Sequence, residues 1–279
     1  TPMSTKIIVL GWLSLVLFSC QKKFQNPPNI VFNMSDDHAY QAVSAYGYGL
    51  NNTPNIDRIA TEGALFQKGF VTNSICAPSR AVMLTGKHSF VNGKVDNIQD
   101  FNWDQDNFAK HLQKAGYQTA LIGKIHLRGL PQGFDYSAVL PGQGHYYNPD
   151  FIIDGIKERI EGYVTSITTD LALDWLKTKR RQEQPFLLLY HQKAPHRNWQ
   201  PEEKYLTLFD DKTFDPPTNF FDDYSNRGTA AKTQEMLIAA SEEQIAKAHG
   251  NGGHGRWGHD FKMLTDPYGN DTGFDRELQ

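Results

Sequence analysis

Cysteine is scarce in this chain of 279 residues, which contains only Cys20 and Cys76. The sequence also lacks a basic tract: its 28 basic and 31 acidic residues are mixed along the chain, for a net charge of −3. That balance argues against nucleic acid as a partner. There is no internal repeat or low-complexity segment, and 39% of the residues are hydrophobic. This composition is that of a globular protein with a sizeable core.

The sequence has no apolar run long enough for a typical membrane span near its start. A short apolar stretch, residues 7–18, follows Lys6 and ends close to Cys20. This is the pattern of an export signal. Residues 17–20, Leu-Phe-Ser-Cys, resemble the lipobox of bacterial lipoproteins, which implies a lipid anchor on Cys20 and attachment to a membrane. As a lipoprotein the protein would lie in the periplasm or at the outer membrane and cell surface. Plain secretion is the alternative, and in either case the protein leaves the cytoplasm. With Cys20 lipidated, Cys76 has no disulfide partner.

Apolar runs that predict strands alternate with segments of helical periodicity. The predicted strands are Asn29–Met34, Tyr117–Ile122 and Pro185–Tyr190. The predicted helices begin at Thr53-Pro54, with an apolar face at Ile56, Ile59 and Ala60, and cover Asp106–Ala115 and Thr165–Arg181. Near-continuous apolar strands separated by helices favour an α/β fold in which a mostly parallel, buried sheet is covered on both faces.

Polar clusters stand at or just beyond the end of each predicted strand. They are Asp36-Asp37-His38, Gly123–His126 and His191–His196. Ligands of such sheets bind beyond the carboxyl ends of the strands, so we expect an active site there. Adjacent carboxylates such as Asp36 and Asp37 repel each other unless a cation compensates, and hard divalent cations take carboxylate oxygens. A solvated turn or a helix cap is the simpler interpretation of that pair. The residues alone favour a metal-assisted hydrolase.

The segment Cys76-Ala-Pro-Ser-Arg80, followed by Leu84-Thr-Gly86, is the most specific pattern in the chain. It resembles the signature of the type I sulfatases. The resemblance covers roughly Pro28 to Pro217, and further matching blocks are Asn29–Asp37, Thr53–Asp57, Gly116–Ala120, Gly123–His126 and Ala194–His196. It implies a sulfuric ester hydrolase with the alkaline-phosphatase-like α/β/α sandwich and a mostly parallel central sheet.

The resemblance also implies a cofactor made from Cys76. A maturation enzyme, itself a partner, oxidises this cysteine to Cα-formylglycine. One hydroxyl of the hydrated aldehyde attacks sulfur, and the second allows the aldehyde to re-form as sulfate leaves. Asp36, Asp37 and residue 76 would ligate calcium, which polarises the sulfate. A small buried core cysteine is the structural alternative for Cys76.

The family's remaining catalytic roles fall on four residues. A helix beginning near Pro78 would bring Arg80 back towards residue 76, where its fixed charge stabilises the alkoxide. Lys124 would neutralise sulfate charge, His126 would bond the diol and act as a base, and His196 would protonate or stabilise the leaving alcohol. Roles for three other histidines are left open: His38, His88 and His191. The other histidines are expected to be ordinary surface or loop residues: His111, His145, His249, His254 and His259.

The family pattern breaks in the later part of the chain. A strand ending in Asp-Asn or Asp-Gln, with a sulfate-binding lysine after it, normally completes the metal site. The nearest candidate, Asn270–Gly273, has no apolar strand before it and is typical of a turn, and the Gly- and His-rich residues 250–258 are typical of a loop. We therefore expect residues 1–23 to be a leader and residues 24–279 to be the N-terminal portion of a catalytic domain whose C-terminal part is missing. Such a chain would have an exposed sheet edge and poor activity.

The substrate expectation rests on a subgroup resemblance. The segments Ser35–Tyr48, Lys94–Asp106, Gln192–Trp199 and Phe220–Ser225 resemble bacterial N-acetylglucosamine-6-sulfatases, which remove 6-O-sulfate from glucosamine units of heparan-like glycans. A sulfated glycan is therefore the expected partner. Two alternatives stay open: a phosphonate or phosphate monoester hydrolase with the same fold and formylglycine, and a non-catalytic glycan-binding lipoprotein.

Overall fold

The structure is a computed structural model that describes residues 27–197, 199–219 and 222–233. Several predicted features lie outside these residues, so they stay predictions. They are the leader with Cys20, the tail at residues 250–258, the turn at Asn270–Gly273, and His249, His254 and His259. No helix in the described part of the chain is both long and apolar enough to cross a bilayer.

A six-stranded sheet forms the centre of the described structure. Its strands are β1 (Ile30–Met34), β2 (Gln118–Lys124), β3 (Tyr136–Leu140), β4 (Asp150–Ile153), β5 (Ile156–Arg159) and β6 (Phe186–His191). They lie in the order β1-β6-β2-β3-β4-β5. The β1–β6, β6–β2 and β2–β3 pairs are parallel, and β3–β4 and β4–β5 are antiparallel. The predicted mostly parallel sheet is confirmed, and the three predicted strands correspond to β1, β2 and β6.

Helices lie between the strands along the chain. They are α1 (Pro54–Glu62), α2 (Cys76–Thr85), α3 (Ser89–Asn92), α4 (Phe108–Lys114), α5 (Val164–Asp174) and α6 (Thr229–Lys232). A π-helical turn, Trp175–Lys179, continues α5, and single 3-10 turns occur at Tyr40–Ala42, Ser44–Tyr46 and Glu203–Tyr205. The three predicted helices correspond to α1, α4 and α5 with its π-helical turn.

Helix α1 departs from expectation in two respects. Thr53 occupies the N-cap position that its place before Pro54 predicts, but its hydroxyl donates to Asp57 Oδ1 at 2.8 Å and accepts from the Ser44 amide at 2.9 Å, so it caps no amide of the helix. The predicted apolar face is only partly covered by described residues, since Ile56 is 41% and Ile59 62% exposed. The helix is therefore fixed to the described structure through polar contacts, including the bond from Ser44 Oγ to Asp57 Oδ2 at 2.6 Å.

Two hydrophobic cores lie on opposite faces of the sheet. Ala120 and Ile122 of β2 pack in the core that contains Trp175, whereas Leu121, between them, packs in the core that contains Ala81 of α2. Alternate side chains of a strand point to opposite faces, so burial of every residue of β2 requires cover on both sides. This arrangement is the α/β/α sandwich expected from the sequence.

Strand β1 is not the buried strand that its apolar sequence predicts. It pairs with β6 on one side and is the outer strand among the described residues. Val31 is 55% and Phe32 36% exposed as a result. Apolar composition predicts a strand but does not tell a central strand from an edge strand.

Strands β2 and β6 approach each other closely where they carry site residues. Gly123 has a φ of +104°, and a Cβ there would lie 1.8 Å from the carbonyl oxygen of His191. Only glycine allows both this conformation and this approach. The contact fixes Lys124, the last residue of β2, beside the end of β6.

Candidate active site

The predicted site residues converge at one edge of the sheet. Asp36 and Asp37 follow β1, Lys124 ends β2, His126 lies two residues beyond it, and His196 follows β6. Cys76 and Arg80 come from α2. Because β1, β6 and β2 are parallel neighbours, their carboxyl ends meet at the same edge.

Asp36 is the centre of the charge network. Its side chain is almost completely buried and pairs with Arg80, Nη2 to Oδ1 at 3.3 Å, and with the ammonium of Lys124. Burial raises the pKa of Asp36, but Lys124 and Arg80 outweigh burial and hold the net pKa below its ordinary value. Its backbone amide donates to Ala194 O at 3.1 Å. The carboxylate of Asp36 is therefore ionised. Its backbone amide links the segment after β1 to the segment after β6.

Asp37 has a different environment. Its φ of +56° turns the chain, and its half-exposed carboxylate lies 3.4 Å from His196 Nε2. The pKa of Asp37 is raised, by burial and by the negative charge of Asp36. A cation bound between the two carboxylates would remove this penalty.

Cys76 is the first residue of α2, which begins there and not near Pro78 as predicted. Its Sγ lies 4.0 Å from His196 Nε2. Burial raises the pKa of the thiol, and the carboxylates of Asp36 and Asp37 add to that effect. Reactive thiolate nucleophiles have lowered pKa values, so the surroundings of Cys76 do not suit thiolate chemistry.

Arg80 and Lys124 are two buried cations on the sheet side of Cys76. Arg80 lies about one helical turn after Cys76, is 3% exposed, and donates to the carbonyl oxygen of Lys124. Lys124 is fully buried, and burial lowers the pKa of its ammonium although Asp36 opposes this. Against the larger effect of burial, both cations lower the pKa of the Cys76 thiol.

His196 is buried and His126 partly buried in the positive surroundings of the two cations. Burial, with Lys124 next in importance, lowers the pKa of each histidine to about 3. His196 Nδ1 lies 2.5 Å from Arg197 O; because a carbonyl only accepts, Nδ1 carries the proton and Nε2 faces Cys76 as an acceptor. His126 Nδ1 is buried without a hydrogen-bond partner in the described structure. His196 Nε2 therefore faces residue 76, and Nδ1 of His126 has no described partner that would prevent it from accepting a proton.

The donor atoms suit a divalent cation. Ligand atoms of Asp36, Cys76 and His196 lie within 4.8 Å of one another. The sequence placed Asp37 in this set and His196 at the leaving group, whereas the structure brings His196 into the cluster, with Asp37 beside it. Two carboxylates offer the oxygen ligands that Ca²⁺ prefers, although Ca²⁺ takes roughly six to eight ligands, so other groups must complete its shell.

A cavity of about 460 Å³ opens onto this edge of the sheet. Asp36, Asp37, Cys76 and Arg80 line it, together with His38. The ring of His38 bonds Ser35 Oγ at 3.1 Å. The cavity gives a small anionic group access to residue 76.

The other two histidines of uncertain role lie in different places. His191 ends β6 and is 2% exposed beneath the site, with Nδ1 3.4 Å from Arg80 Nη1. His88 stacks on Phe90 at 5.5 Å, where Phe90 is 80% exposed. His191 thus contacts the catalytic cluster, and no described contact links His88 to it.

Sequence reasoning missed three residues around the site. Gln143 accepts a hydrogen bond from Lys124, Lys193 Nζ bonds Gln143 O at 3.2 Å, and Tyr146 OH donates to His196 O. Lys193 lies within the predicted polar cluster His191–His196, but no motif gives it a role. Gln143 and Tyr146 lie in the loop of residues 141–149, where the only signal is the glycines that permit the turns carrying Gln143.

Comparisons with known proteins point to one family. Residues 28–253 match the sulfatase family. The N-acetylglucosamine-6-O-sulfatase of Bacteroides thetaiotaomicron is 50% identical over 241 residues, which cover 84% of this chain and 43% of that protein. The N-acetylgalactosamine-6-sulfatase of Rattus norvegicus is 31% identical over 61% of this chain and 40% of its own length.

A solved structure with the same fold carries a sugar ligand. BT4656 in complex with its substrate D-glucosamine-2-N,6-O-disulfate matches with a TM-score of 0.75 and 43% identity, over 90% of this chain and 54% of that one. The chain thus spans about half the length of these relatives.

Proposed function

Because the chain belongs to the sulfatase family, we propose that it acts in the hydrolysis of sulfate esters on a glycan, at the site built around Cys76. The observation that carries this proposal is the clustering of two carboxylates, two buried cations and two neutral histidines around a cysteine with a raised pKa. The motif implies this constellation, and the fold brings it together from separate segments.

The substrate that we propose is a 6-O-sulfated N-acetylglucosamine in a heparan-like oligosaccharide. Support comes from the 50% identical relative, whose name states N-acetylglucosamine-6-O-sulfatase activity, and from BT4656, solved with a 6-O-sulfated glucosamine. We further propose that the protein is exported and attached to a membrane by a lipid on Cys20. That proposal rests on the leader alone.

Two groups absent from the described chain would supply part of the chemistry. We propose that a maturation enzyme converts Cys76 to formylglycine, whose hydrate supplies the nucleophile and a second hydroxyl for sulfate release. Calcium, held by Asp36, Asp37 and residue 76, would polarise the ester sulfate.

The chain's own residues hold and neutralise the anion. The two carboxylates of Asp36 and Asp37 balance the charges of Arg80 and Lys124, so these four residues together are neutral. A bound divalent cation would then give the site a net positive charge, which attracts a sulfate. Arg80 and Lys124 are fixed by buried bonds, so they need little reorganisation when the anion arrives. His126, neutral and with Nδ1 unpartnered, is the candidate acceptor for a proton from the nucleophile.

His196 is the group nearest to residue 76 on the open side. Its Nε2 faces both Cys76 Sγ and Asp37 Oδ2. With Nδ1 bonded to Arg197 O, donation to a leaving alcohol requires that Nε2 first gain a proton, and a bound sulfate close to the ring favours that form. We therefore propose His196 as the acid that assists the leaving sugar oxygen.

Release of inorganic sulfate tests the proposed activity. Protein co-expressed with a formylglycine-generating enzyme, in calcium buffer, should release sulfate from N-acetylglucosamine 6-sulfate slowly but measurably. The Cys76→Ala variant should release none while keeping its melting temperature, because the side chain is partly exposed and its removal empties little core. Equal release by the wild type and this variant would refute the proposal.

The rival activities give different results in the same assay. Faster turnover of an aryl phosphate than of an aryl sulfate would indicate a phosphate monoesterase. Calcium-dependent binding of a sulfated disaccharide without sulfate release would indicate a glycan-binding protein.

A further inference from the structure

The loop that joins β3 to β4, residues 141–149, lies across the edge of the sheet beside Lys124. A turn forms at its start, where the amide of Gly144 donates to Pro141 O at 3.0 Å. Gly142 and Gly144 have φ values of +55° and +70°. These left-handed conformations favour glycine and place Gln143, between them, against the ammonium of Lys124.

Lys124 bonds two acceptors of different kinds. One is the carboxylate of Asp36 and the other is Oε1 of Gln143. An ammonium has three donors, so among the described residues one proton of Lys124 has no protein partner and can serve an anion. Since Asp36 is also a candidate metal ligand, Gln143 is the partner of Lys124 that has no other role in the site.

Contacts with the segment after β6 fix the loop. Lys193 Nζ donates to Gln143 O at 3.2 Å and lies 4.7 Å from the centre of the Tyr146 ring. Tyr146 is buried, and its hydroxyl donates to His196 O. The loop is therefore bonded to the segment after β6, which carries His196. Its own Gln143 side chain bonds Lys124.

The acceptor on Lys124 is neutral, and this has a chemical consequence. An amide oxygen orients the ammonium without adding charge, whereas a second carboxylate beside Lys124 would add a negative charge that repels a sulfate. We propose that Gln143 is a positioning residue, which orients Lys124 towards the sulfate and leaves the positive charge of Lys124 available. This inference rests on the proposed function.

Calorimetric binding of inorganic sulfate, in calcium buffer, tests this inference in the wild type and two variants. Gln143→Met keeps the side-chain size but removes the acceptor, and Gln143→Glu keeps an acceptor but adds a negative charge. Both should bind sulfate about tenfold more weakly than the wild type, the size of effect typical for a hydrogen bond to a charged group. Gln143→Glu should melt no lower than the wild type, since it gains an ion pair with Lys124.

The pattern across the variants separates positioning from a structural role. If Gln143 only stabilised the loop, Gln143→Glu would bind sulfate as well as the wild type does, and that result would overturn the inference. Gln113→Met is the matched control. The side-chain amide of Gln113 also makes a hydrogen bond, from Nε2 to Asp135 Oδ1 at 2.9 Å, but away from the site. This variant should bind sulfate as the wild type does. If the variants show this pattern of sulfate binding but the wild type hydrolyses no ester, the proposed activity is refuted and the positioning role stands. If the wild type binds no sulfate, the positioning role is refuted.

Discussion

His191 is the most enclosed ionisable ring near the site. Burial, with Arg80 next in importance, lowers its pKa to about 3, although its bond to Lys124 O opposes the shift. Its Nε2 has no partner among the described residues. A protonated ring here would face the guanidinium of Arg80 without solvent, so the folded protein keeps His191 neutral.

This burial predicts an acid-dependent loss of stability. The unfolded chain protonates His191 below pH 6.5 and the folded chain does not until about pH 3. The stabilisation is therefore complete above pH 6.5 and falls as the pH drops towards 3. Between pH 7 and pH 5 the free energy of unfolding of the wild type should fall by about 2 kcal/mol more than that of His191→Gln. Urea titrations at both pH values measure this, and equal falls would contradict it.

The residues of the site divide into those that a sequence identifies and those that it does not. Cys76, Arg80 and the Asp36-Asp37 pair stand in motifs whose chemistry is specific, so their convergence could be predicted. Gln143, Lys193 and Tyr146 act through contacts made by a loop, and a glutamine in a glycine-rich turn has no distinctive pattern. His191 was a strand-end histidine of open role, because sequence does not show whether such a ring faces solvent or lies beneath the site.

At the scale of elements, the packing of β2 against β6 fixes the site. Lys124 ends β2 and His191 ends β6, and the two strands come together at Gly123 with no room for a side chain. Helix α2 adds Cys76 and Arg80 from one face of the sheet. The position of each charge is thus set by backbone contacts as well as by ion pairs.

Replacement of Gly123 tests this packing. Gly123→Ala should lower the free energy of unfolding by about 3 kcal/mol or more, since it combines a left-handed conformation with a clash against His191 O. Gly116→Ala is the matched control: its φ is +92° but no atom lies within 4 Å of the added Cβ, so only about 1 kcal/mol of strain is expected. Equal losses in chemical denaturation would show that the close approach does not matter.

Prediction from sequence was most successful for long elements with a clear period. The apolar period of α5 and the continuous run of β6 located those elements, and Val164, Ile167 and Trp175 are buried as that period requires. Strands β3, β4 and β5 were missed: β3 has only five residues, and β4 and β5 have four each, with every residue of β5 exposed. Such strands are specified by their hairpin partners and carry little signal of their own.

At the scale of the whole molecule, the described sheet has two unlike edges. The outer strand β5 is Ile-Lys-Glu-Arg, with charged side chains that discourage pairing with another chain. The outer strand β1 is Ile-Val-Phe-Asn-Met and exposes Val31 and Phe32. An apolar edge of this kind is a template for association.

Self-association should therefore depend on β1. Val31→Lys places a charge on this edge and should raise the concentration at which oligomers appear in light scattering. Ile156→Lys, on the already charged strand β5, should have little effect although Ile156 is 73% exposed. An unchanged onset in Val31→Lys would show that β1 is not the associating edge.

The most direct test of the account is mass spectrometry of the peptide that contains Cys76, after co-expression with a formylglycine-generating enzyme. The account predicts that the side chain has lost its sulfur and two hydrogens and gained one oxygen, and that Pro78→Ala or Arg80→Ala, changes within the motif, reduce this conversion. An intact thiol at Cys76 in every copy of the wild-type peptide would contradict it.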